Sequence, residues 1–185
     1  MERSKAALFW PVLVAVTASD AVTKALAQRY LPLPQLPHDV LGNAVRLTLV
    51  YNPGAAFGIS FGPYSRWIFM ALIVVALIIL ARLYAATRDG NVPRILALAL
   101  VCGGALGNLI DRLRSGLGVV DFIDVGLRDA RWPTFNVADM AVTVGAVLLA
   151  VVLWTEERRA AASASAAVVP PAPAPLGERP AGEPS

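Results

Sequence analysis

Residues 95–112 read ILALALVCGGALGNLIDR, and this stretch decides the fold. It is apolar over most of its length and then ends on Asn108, Asp111 and Arg112. Residues three and four apart share one face of a helix, so these three side chains would form a polar face at its end. An ionised side chain in hydrocarbon costs about 2.5–3.5 kcal/mol on membrane-insertion scales. Charges at the end of such a segment therefore indicate a polar site in a membrane protein.

The same pattern recurs in two other apolar segments. Asp20 and Lys24 interrupt the first segment, Asn136 and Asp139 open the last, and Asp121 lies in the loop before it. Successive spans cross a membrane in opposite directions, so the first and third spans end on the side where the fourth begins. The unusual polar residues therefore converge on one face of the membrane.

The composition is that of a membrane protein. Of the 185 residues, 57% are hydrophobic and 16% are charged, whereas a soluble domain averages about 25% charged residues. Four stretches approach the roughly 20 residues that a membrane span needs: 6–27, 66–85, 93–112 and 136–154. We predict a mainly α integral membrane protein whose four transmembrane helices form one domain over residues 1–159. The net charge is +3, but the basic residues are spread over loops and helix ends and form no patch, so no nucleic-acid partner is expected.

The two loops on the side of the polar residues, 28–65 and 113–135, contain strand patterns. Residues 45–51 read VRLTLVY, which is rich in β-branched residues and partly alternating. Asn52-Pro53-Gly54 then predicts a turn. Residues 119–123 read VVDFI and predict a second short strand. We therefore expect a small extramembrane β platform beside the polar site.

The charges near the chain ends bear on topology. Arg3 and Lys5 precede the first span, and Arg158 and Arg159 follow the last. The opposite side carries nearly as many arginines, so the positive-inside rule favours cytoplasmic termini by a narrow margin and places the platform on the periplasmic, outer side. Residues 160–185 are rich in Ala and Pro and cannot bury a core, so we predict a disordered cytoplasmic tail.

The glycines before Asn108 admit two readings. Gly103, Gly104 and Gly107 would allow either close helix packing or the approach of a substrate at short range. Because Gly104 lies one turn before Asn108, we count it among the candidate site residues.

The available residue types restrict the chemistry of the polar site. The single histidine, His38, lies in a Pro-rich loop, so a Ser-His-Asp triad lacks its base. Cys102 lies in mid-span with no histidine near it in the sequence, which argues against a thiol protease. Structural and catalytic zinc sites need clusters of His or Cys. Two aspartates that share a proton can instead activate water, one as the base and the other as the acid.

The spacing leaves the identity of that pair partly open. The candidates are Asp20, Asp111, Asp121, Asp124 and Asp139. Asp20 has Lys24 one helical turn away, and Asp111 has Arg112 and Arg114 close by, which indicates structural ion pairs. Asp121 and Asp139 have no such cation. Asp124 would point to the opposite face of a strand from Asp121, so only one of them can face the site, and spacing favours Asp121 without excluding Asp124.

Five motifs in this order resemble the lipoprotein signal peptidase (signal peptidase II) family. They are DAVTK at 20–24, NPGAAFG at 52–58, GALGNLIDR at 104–112, VDF at 120–122 and FNVAD at 135–139. Each motif is weak alone, but all five at the right places on four spans are specific. The resemblance covers roughly residues 8–154, and Pro53 stands where family members vary.

The resemblance implies an aspartic-type endopeptidase that removes signal peptides from diacylglyceryl-modified bacterial prolipoproteins, cutting just before the lipidated Cys. It implies that Asp121 and Asp139 are the catalytic dyad, with Asp121 chosen over Asp124. Residues implied to line the site, hold substrate or support it are Asp20, Lys24, Asn52, Gly54, Asn108, Arg112 and Asn136. It also implies no metal or cofactor, inhibitors of the globomycin type, and a monomer among lipids of the bacterial inner (cytoplasmic) membrane.

Two other functions would fit part of this pattern. A small ion transporter or channel would distribute polar residues through the membrane depth, whereas here they cluster at one end and the second span carries none. An assembly or scaffold protein would tolerate the substitution Asp139→Asn without loss of function.

Overall fold

Four long helices and a small sheet make up the part of the chain that the structure describes. The computed structural model describes residues 4–31, 33–54, 60–128 and 130–167. The helices are α1 (Lys5–Tyr30), α2 (Ser65–Ala86), α3 (Val92–Arg114) and α4 (Val137–Ala167). Each of them is long and apolar enough to cross a membrane. The predicted fold class, a mainly α membrane protein with four spans and a small β platform, is confirmed.

The platform is an antiparallel sheet built from the two loops at one end of the helices. Its strands are β1 (His38–Leu41), β2 (Val45–Asn52), β3 (Val119–Leu127) and β4 (Ala130–Arg131), in that spatial order. The strands predicted at 45–51 and 119–123 are present as β2 and β3. In their register Val50 lies opposite Asp121, and Asn52 lies opposite Val119. This pairing brings the Asn52 turn next to the start of β3.

Lys5 fastens the opposite end of the membrane domain. Its ammonium group donates to the carbonyl oxygens of Tyr84 at 3.1 Å, Ala85 at 3.0 Å and Thr87 at 2.8 Å. The last carbonyls of a helix have no partner within that helix. Lys5 supplies those donors for α2 and joins the start of α1 to the end of α2.

Helix α3 is the most buried of the four spans, and small residues let its neighbours approach it closely. A Cβ atom at Gly104 would lie 2.3 Å from the carbonyl oxygen of Ala138 on α4. One at Gly107 would lie 2.5 Å from Oδ2 of Asp20 on α1. Of the two readings of these glycines, the structure therefore shows close helix packing at Gly104.

The predicted start of the disordered tail is wrong. We placed it at residue 160, but α4 continues to Ala167. Residues 160–167 read AAASASAA, and alanine has the highest helix propensity of all residues, so this run extends the helix. The rest of the predicted tail, 168–185, lies outside the described residues, as do residues 55–58 of the second motif.

We expect Gly104→Ala to lower the stability of the fold, because its methyl group would collide with the backbone of α4 at Ala138. Overpacking of this kind costs about 1–3 kcal/mol, and each kcal/mol lowers the unfolding temperature of a protein of this size by about 2–4 °C. Thermal unfolding in detergent measures the effect. Gly116→Ala is the control, since its Cβ would lie 4.0 Å from the nearest heavy atom. Equal unfolding temperatures for the two variants would contradict the close packing of α3 and α4.

Candidate active site

Asn136 and Asp139 form a reciprocal cap at the start of α4. The backbone N–H of Asp139 donates to Oδ1 of Asn136 at 2.9 Å, and the backbone N–H of Asn136 donates to Oδ2 of Asp139 at 3.1 Å. This is the arrangement of a capping box, with Asn and Asp in place of the usual Ser or Thr and Glu. The cap holds the Asp139 carboxylate in the first helical turn, where the helix dipole favours negative charge.

The side chain of Asn136 also reaches Asp121 on β3. Its Nδ2 donates to Oδ1 of Asp121 at 2.7 Å, and the Nδ2 of Asn52 donates to Oδ2 of Asp121 at 3.0 Å. Both oxygens of Asp121 therefore accept hydrogen bonds from amides that the sequence had singled out. Because Asn136 contacts both carboxyl groups, it brings together the two aspartates predicted to form the dyad.

Asn108 holds Asp139 from the side of α3. Its Nδ2 donates to Oδ1 of Asp139 at 2.8 Å. Its Oδ1 accepts from Nζ of Lys24 at 3.0 Å and from Nδ2 of Asn136 at 3.2 Å. An ammonium group has only donors, so Lys24 fixes which end of the Asn108 amide faces Asp139.

A buried cluster of charges lies behind Asn108. Nζ of Lys24 is 2.7 Å from Oδ2 of Asp20 and 2.8 Å from Oδ2 of Asp111. Only 3% of the Lys24 side chain and 1% of the Asp20 side chain are exposed. Oδ1 of Asp20 accepts the backbone N–H of Ala138 at 2.9 Å, which satisfies a further donor in the first turn of α4. The predicted ion pair between Asp20 and Lys24 is confirmed.

The prediction that Asp111 pairs with arginines of its own helix is wrong. The sequence suggested its neighbours Arg112 and Arg114, but in the described residues the ion pair of Asp111 is with Lys24 on α1. Spacing along one helix cannot reveal a cation that arrives from another helix. Arg112 points the other way and donates from Nη2 to the carbonyl oxygen of Gly54 at 2.8 Å.

Arg112 and the Asn52 turn form one side of the site. The backbone N–H of Gly54 donates to Oδ1 of Asn52 at 3.0 Å, so the Nδ2 of Asn52 is left to face Asp121. Arg112 is buried, its guanidinium lies 5.6 Å from the ring centre of Phe69, and its Nε has no hydrogen-bond partner among the described residues. This buried cation is close enough to Asp121 and Asp139 for their charges to act on it.

Burial raises the pKa of Asp121 from 3.8 to about 7. The negative charge of Asp139 raises this pKa as well, whereas the amides of Asn52 and Asn136 and the charge of Lys24 lower it by less. Loss of solvation disfavours the ionised carboxylate, and so does a like charge nearby. Asp121 can therefore keep a proton near neutral pH, which is what an acid–base pair of carboxyl groups requires.

The two aspartates lie at the polar end of a cleft of about 860 Å³ between α2 and α4. The polar lining consists of Asn52, Asn108, Arg112, Asp121 and Asp139 with two threonines, Thr134 and Thr143. The apolar lining from α2 consists of Phe69, Leu72, Ile73, Ala76 and Leu80. Leu72 on α2 and Val144 on α4 are both exposed, so the cleft opens on the face of the helices that lipid would cover. Sequence reasoning missed the part played by α2, because wall residues look like any other residues of an apolar span.

Asp124, the alternative to Asp121, forms its hydrogen bonds with other residues of the platform. Its Oδ1 accepts from Nε of Arg131 at 2.5 Å, and its Oδ2 accepts from the hydroxyl of Thr48 at 3.1 Å. It does not line the cleft. Within the described ranges, no three His, Cys, Asp or Glu side chains form a group that could hold a metal ion.

Comparison with known proteins agrees with this geometry. The family model for signal peptidase (SPase) II matches residues 12–155. The lipoprotein signal peptidase of Paraburkholderia phytofirmans is 45% identical over 143 residues, which cover 76% of this chain and 80% of that protein. The lipoprotein signal peptidase of Syntrophotalea carbinolica is 44% identical, with 76% of this chain and 87% of that protein covered.

Two solved structures share the fold, and both are described as bacterial membrane enzymes. One has a TM-score of 0.71 at 30% identity and covers 83% of this chain and 97% of that chain. The other has a TM-score of 0.70 at 31% identity, with 79% and 87% covered. The resemblance carried by the five motifs is therefore confirmed, and the chain belongs to the signal peptidase II family, the aspartic-type peptidases called lipoprotein signal peptidases.

Proposed function

We propose that this chain removes the signal peptide from diacylglyceryl-modified prolipoproteins, cutting just before the lipidated Cys, with Asp121 and Asp139 as the catalytic dyad. The single observation that carries the proposal is the position of Asn136, which donates hydrogen bonds to both carboxyl groups at the polar end of one cleft. The names of the relatives, lipoprotein signal peptidases, support the same substrate class.

The environments of the two aspartates suggest their separate roles. Asp121 is 2% exposed and holds a proton near neutral pH, so it acts as the acid. Asp139 is half-buried at the cleft and acts as the base. Asp139 takes a proton from water as the water oxygen bonds to the scissile carbonyl carbon, and the C=O π electrons move to the carbonyl oxygen. The tetrahedral species then re-forms its C=O bond as the C–N bond breaks and Asp121 gives its proton to the leaving nitrogen, which releases the amino group of the lipidated Cys.

The cleft suits a substrate that is itself embedded in the membrane. A helical signal peptide hides its backbone in hydrogen bonds, so the scissile segment must unwind before water can attack it. The apolar wall from α2 offers a surface for the signal peptide and the acyl chains, while the polar end receives the unwound backbone. Arg112 and Asn52 lie where they could contact that backbone. Inhibitors of the globomycin type would occupy the same cleft.

The orientation of the protein decides on which side of the membrane the site lies. We place the enzyme as a monomer in the bacterial inner membrane, with both termini in the cytoplasm and the platform on the periplasmic side. The charges before α1 and after α4 support this orientation under the positive-inside rule. The dyad needs no metal and no cofactor, because two carboxyl groups supply both proton transfers.

We expect Asp121→Asn and Asp139→Asn each to reduce cleavage of a diacylglyceryl-modified prolipoprotein in detergent by about 100- to 10,000-fold, the range of general acid–base catalysis. Asp39→Asn, which alters an exposed ion pair on β1, should cleave at the wild-type rate. Near-normal cleavage by both dyad variants would make the assignment wrong. A wild-type protein that is inert on the lipidated substrate would overturn the proposed function itself.

The pKa of Asp121 predicts the pH dependence of cleavage. The active dyad carries one proton, and Asp121 loses that proton as the pH rises through about 7. We therefore expect kcat to fall on the alkaline side of about pH 7, because no acid remains for the leaving nitrogen. Single-turnover rates measured from pH 5 to 9 in detergent test this, with thermal unfolding at each pH as the control for stability. A rate that keeps rising above pH 8 would contradict the assignment of Asp121 as the acid.

A further inference from the structure

We propose that Asp111 is a positioning residue that holds Asp121 and Asp139 in their relative positions, and this inference rests on the proposed function. Asp111 is absent from the set of site residues that the motifs indicate. It lies on α3 between Asn108 and Arg112, but its carboxylate points away from the cleft, toward α1 and the start of β3. There it contributes to a second, smaller cavity of about 170 Å³.

The first connection of Asp111 runs to Asp121 through the backbone of β3. Oδ2 of Asp111 accepts the backbone N–H of Val120 at 3.1 Å. The carbonyl oxygen of Val120 lies 3.3 Å from Nδ2 of Asn136 and shares the two hydrogens of that amide with the oxygens of Asp121 and Asn108. The peptide groups on both sides of Val120 are thus held, and the second of them leads directly into Asp121. Asp111 therefore fixes the backbone that carries the acid.

The second connection runs to Asp139 through two side chains. The same carboxylate oxygen of Asp111 lies 2.8 Å from Nζ of Lys24, and that ammonium group donates to Oδ1 of Asn108 at 3.0 Å. With its oxygen engaged in this way, Asn108 presents its Nδ2 to Asp139 at 2.8 Å. A rotated amide would set NH₂ against NH₃⁺, which is a contact between two donors. The position of Lys24 therefore determines the hydrogen bond that Asp139 receives.

These two connections make Asp111 a link between elements that no backbone segment joins directly. Asp111 contacts α1 through Lys24 and β3 through the N–H of Val120. Asn136 at the start of α4 contacts the carbonyl oxygen of the same Val120. Catalysis by two carboxyl groups depends on their mutual placement, and a misplacement of about 1 Å can reduce the rate about 100-fold. Loss of Asp111 should therefore lower the catalytic rate while the substrate-binding cleft stays intact.

The test compares Asp111→Ala with Asp111→Asn in cleavage of a diacylglyceryl-modified prolipoprotein. Ala removes both connections, and we expect kcat to fall about 10- to 100-fold with KM within about threefold, since Asp111 does not line the cleft. Asn keeps an oxygen for the N–H of Val120 but loses the charge, so its kcat should lie between those of Ala and wild type. Asp89→Asn is the matched control, because Asp89 is exposed and accepts only the N–H of Lys5 among its described contacts.

A pH profile separates positioning from a general loss of folding. The charged groups that act on Asp121 are Asp139 from α4, Lys24 from α1 and Arg112 from α3. Asp111 acts on it through Lys24, whose Nζ lies 2.8 Å from Oδ2 of Asp111. Removing the negative charge of Asp111 leaves the positive charge of Lys24 less compensated, which lowers the pKa of Asp121. The alkaline fall in kcat should therefore move to lower pH in Asp111→Asn. A purely structural role would lower the amount of active enzyme and leave this midpoint in place.

Hydrogen exchange supplies a readout that does not depend on cleavage. In Asp111→Ala the backbone amide of Val120 should exchange faster than in wild type, while amides in α2 stay unchanged. If wild type cleaves and Asp111→Ala shows wild-type kcat and wild-type exchange at Val120, the inference is overturned. If wild type does not cleave at all, the proposed function fails, and exchange at Val120 alone decides whether Asp111 holds β3.

Discussion

The first turn of α4 is the constraint on which the site depends. The first N–H groups of any helix lack partners within that helix and need acceptors from elsewhere. Here the acceptors are side chains of the site itself: Asn136 serves the N–H of Asp139, and Asp20 serves that of Ala138. The need to cap a buried helix end thus brings α1 against α4 and leaves the carboxylate of Asp139 facing the cleft. The atoms that cap the helix are therefore the same atoms that hold the carboxylate proposed as the catalytic base.

The charged groups behind Asn108 also serve more than one partner each. Two carboxylates, Asp20 and Asp111, share the single ammonium group of Lys24. Removing one partner of a buried ion pair costs about 3–5 kcal/mol, because the other charge is left uncompensated. The excess negative charge is accepted here because Asp20 faces the N-terminus of α4 and Asp111 accepts a backbone N–H from β3. A residue larger than glycine at position 107 would displace the carboxylate of Asp20, because its Cβ atom would lie 2.5 Å from Oδ2 of Asp20.

The sequence predicted the parts of this molecule that leave a periodic or compositional mark. Hydropathy located the four spans, β-branched residues in partial alternation located β2, and the short run VVDFI located the start of β3. The sequence pattern did not predict β1. All four residues of this strand are exposed, so they show no alternation between buried and exposed positions. Spacing within a helix paired Asp20 with Lys24 correctly but gave Asp111 the wrong partners, because Lys24 reaches it from another helix. Spacing also left Asp121 and Asp124 unresolved, and the structure separates them through Arg131, a cation that sits seven residues after Asp124.

The opening of the cleft between α2 and α4 has a consequence for how this enzyme meets its substrate. Exposed residues such as Leu72 and Val144 border the opening, on the face of the helices that lipid would cover. For the lipidated, membrane-embedded substrate proposed above, encounter would be a two-dimensional search, governed by lateral diffusion and by the number of substrate molecules per unit area of bilayer. In detergent the relevant concentration becomes the mole fraction of substrate in the micelles. Adding empty micelles at constant protein and substrate should therefore slow the reaction, even though no bulk concentration of either reactant has changed.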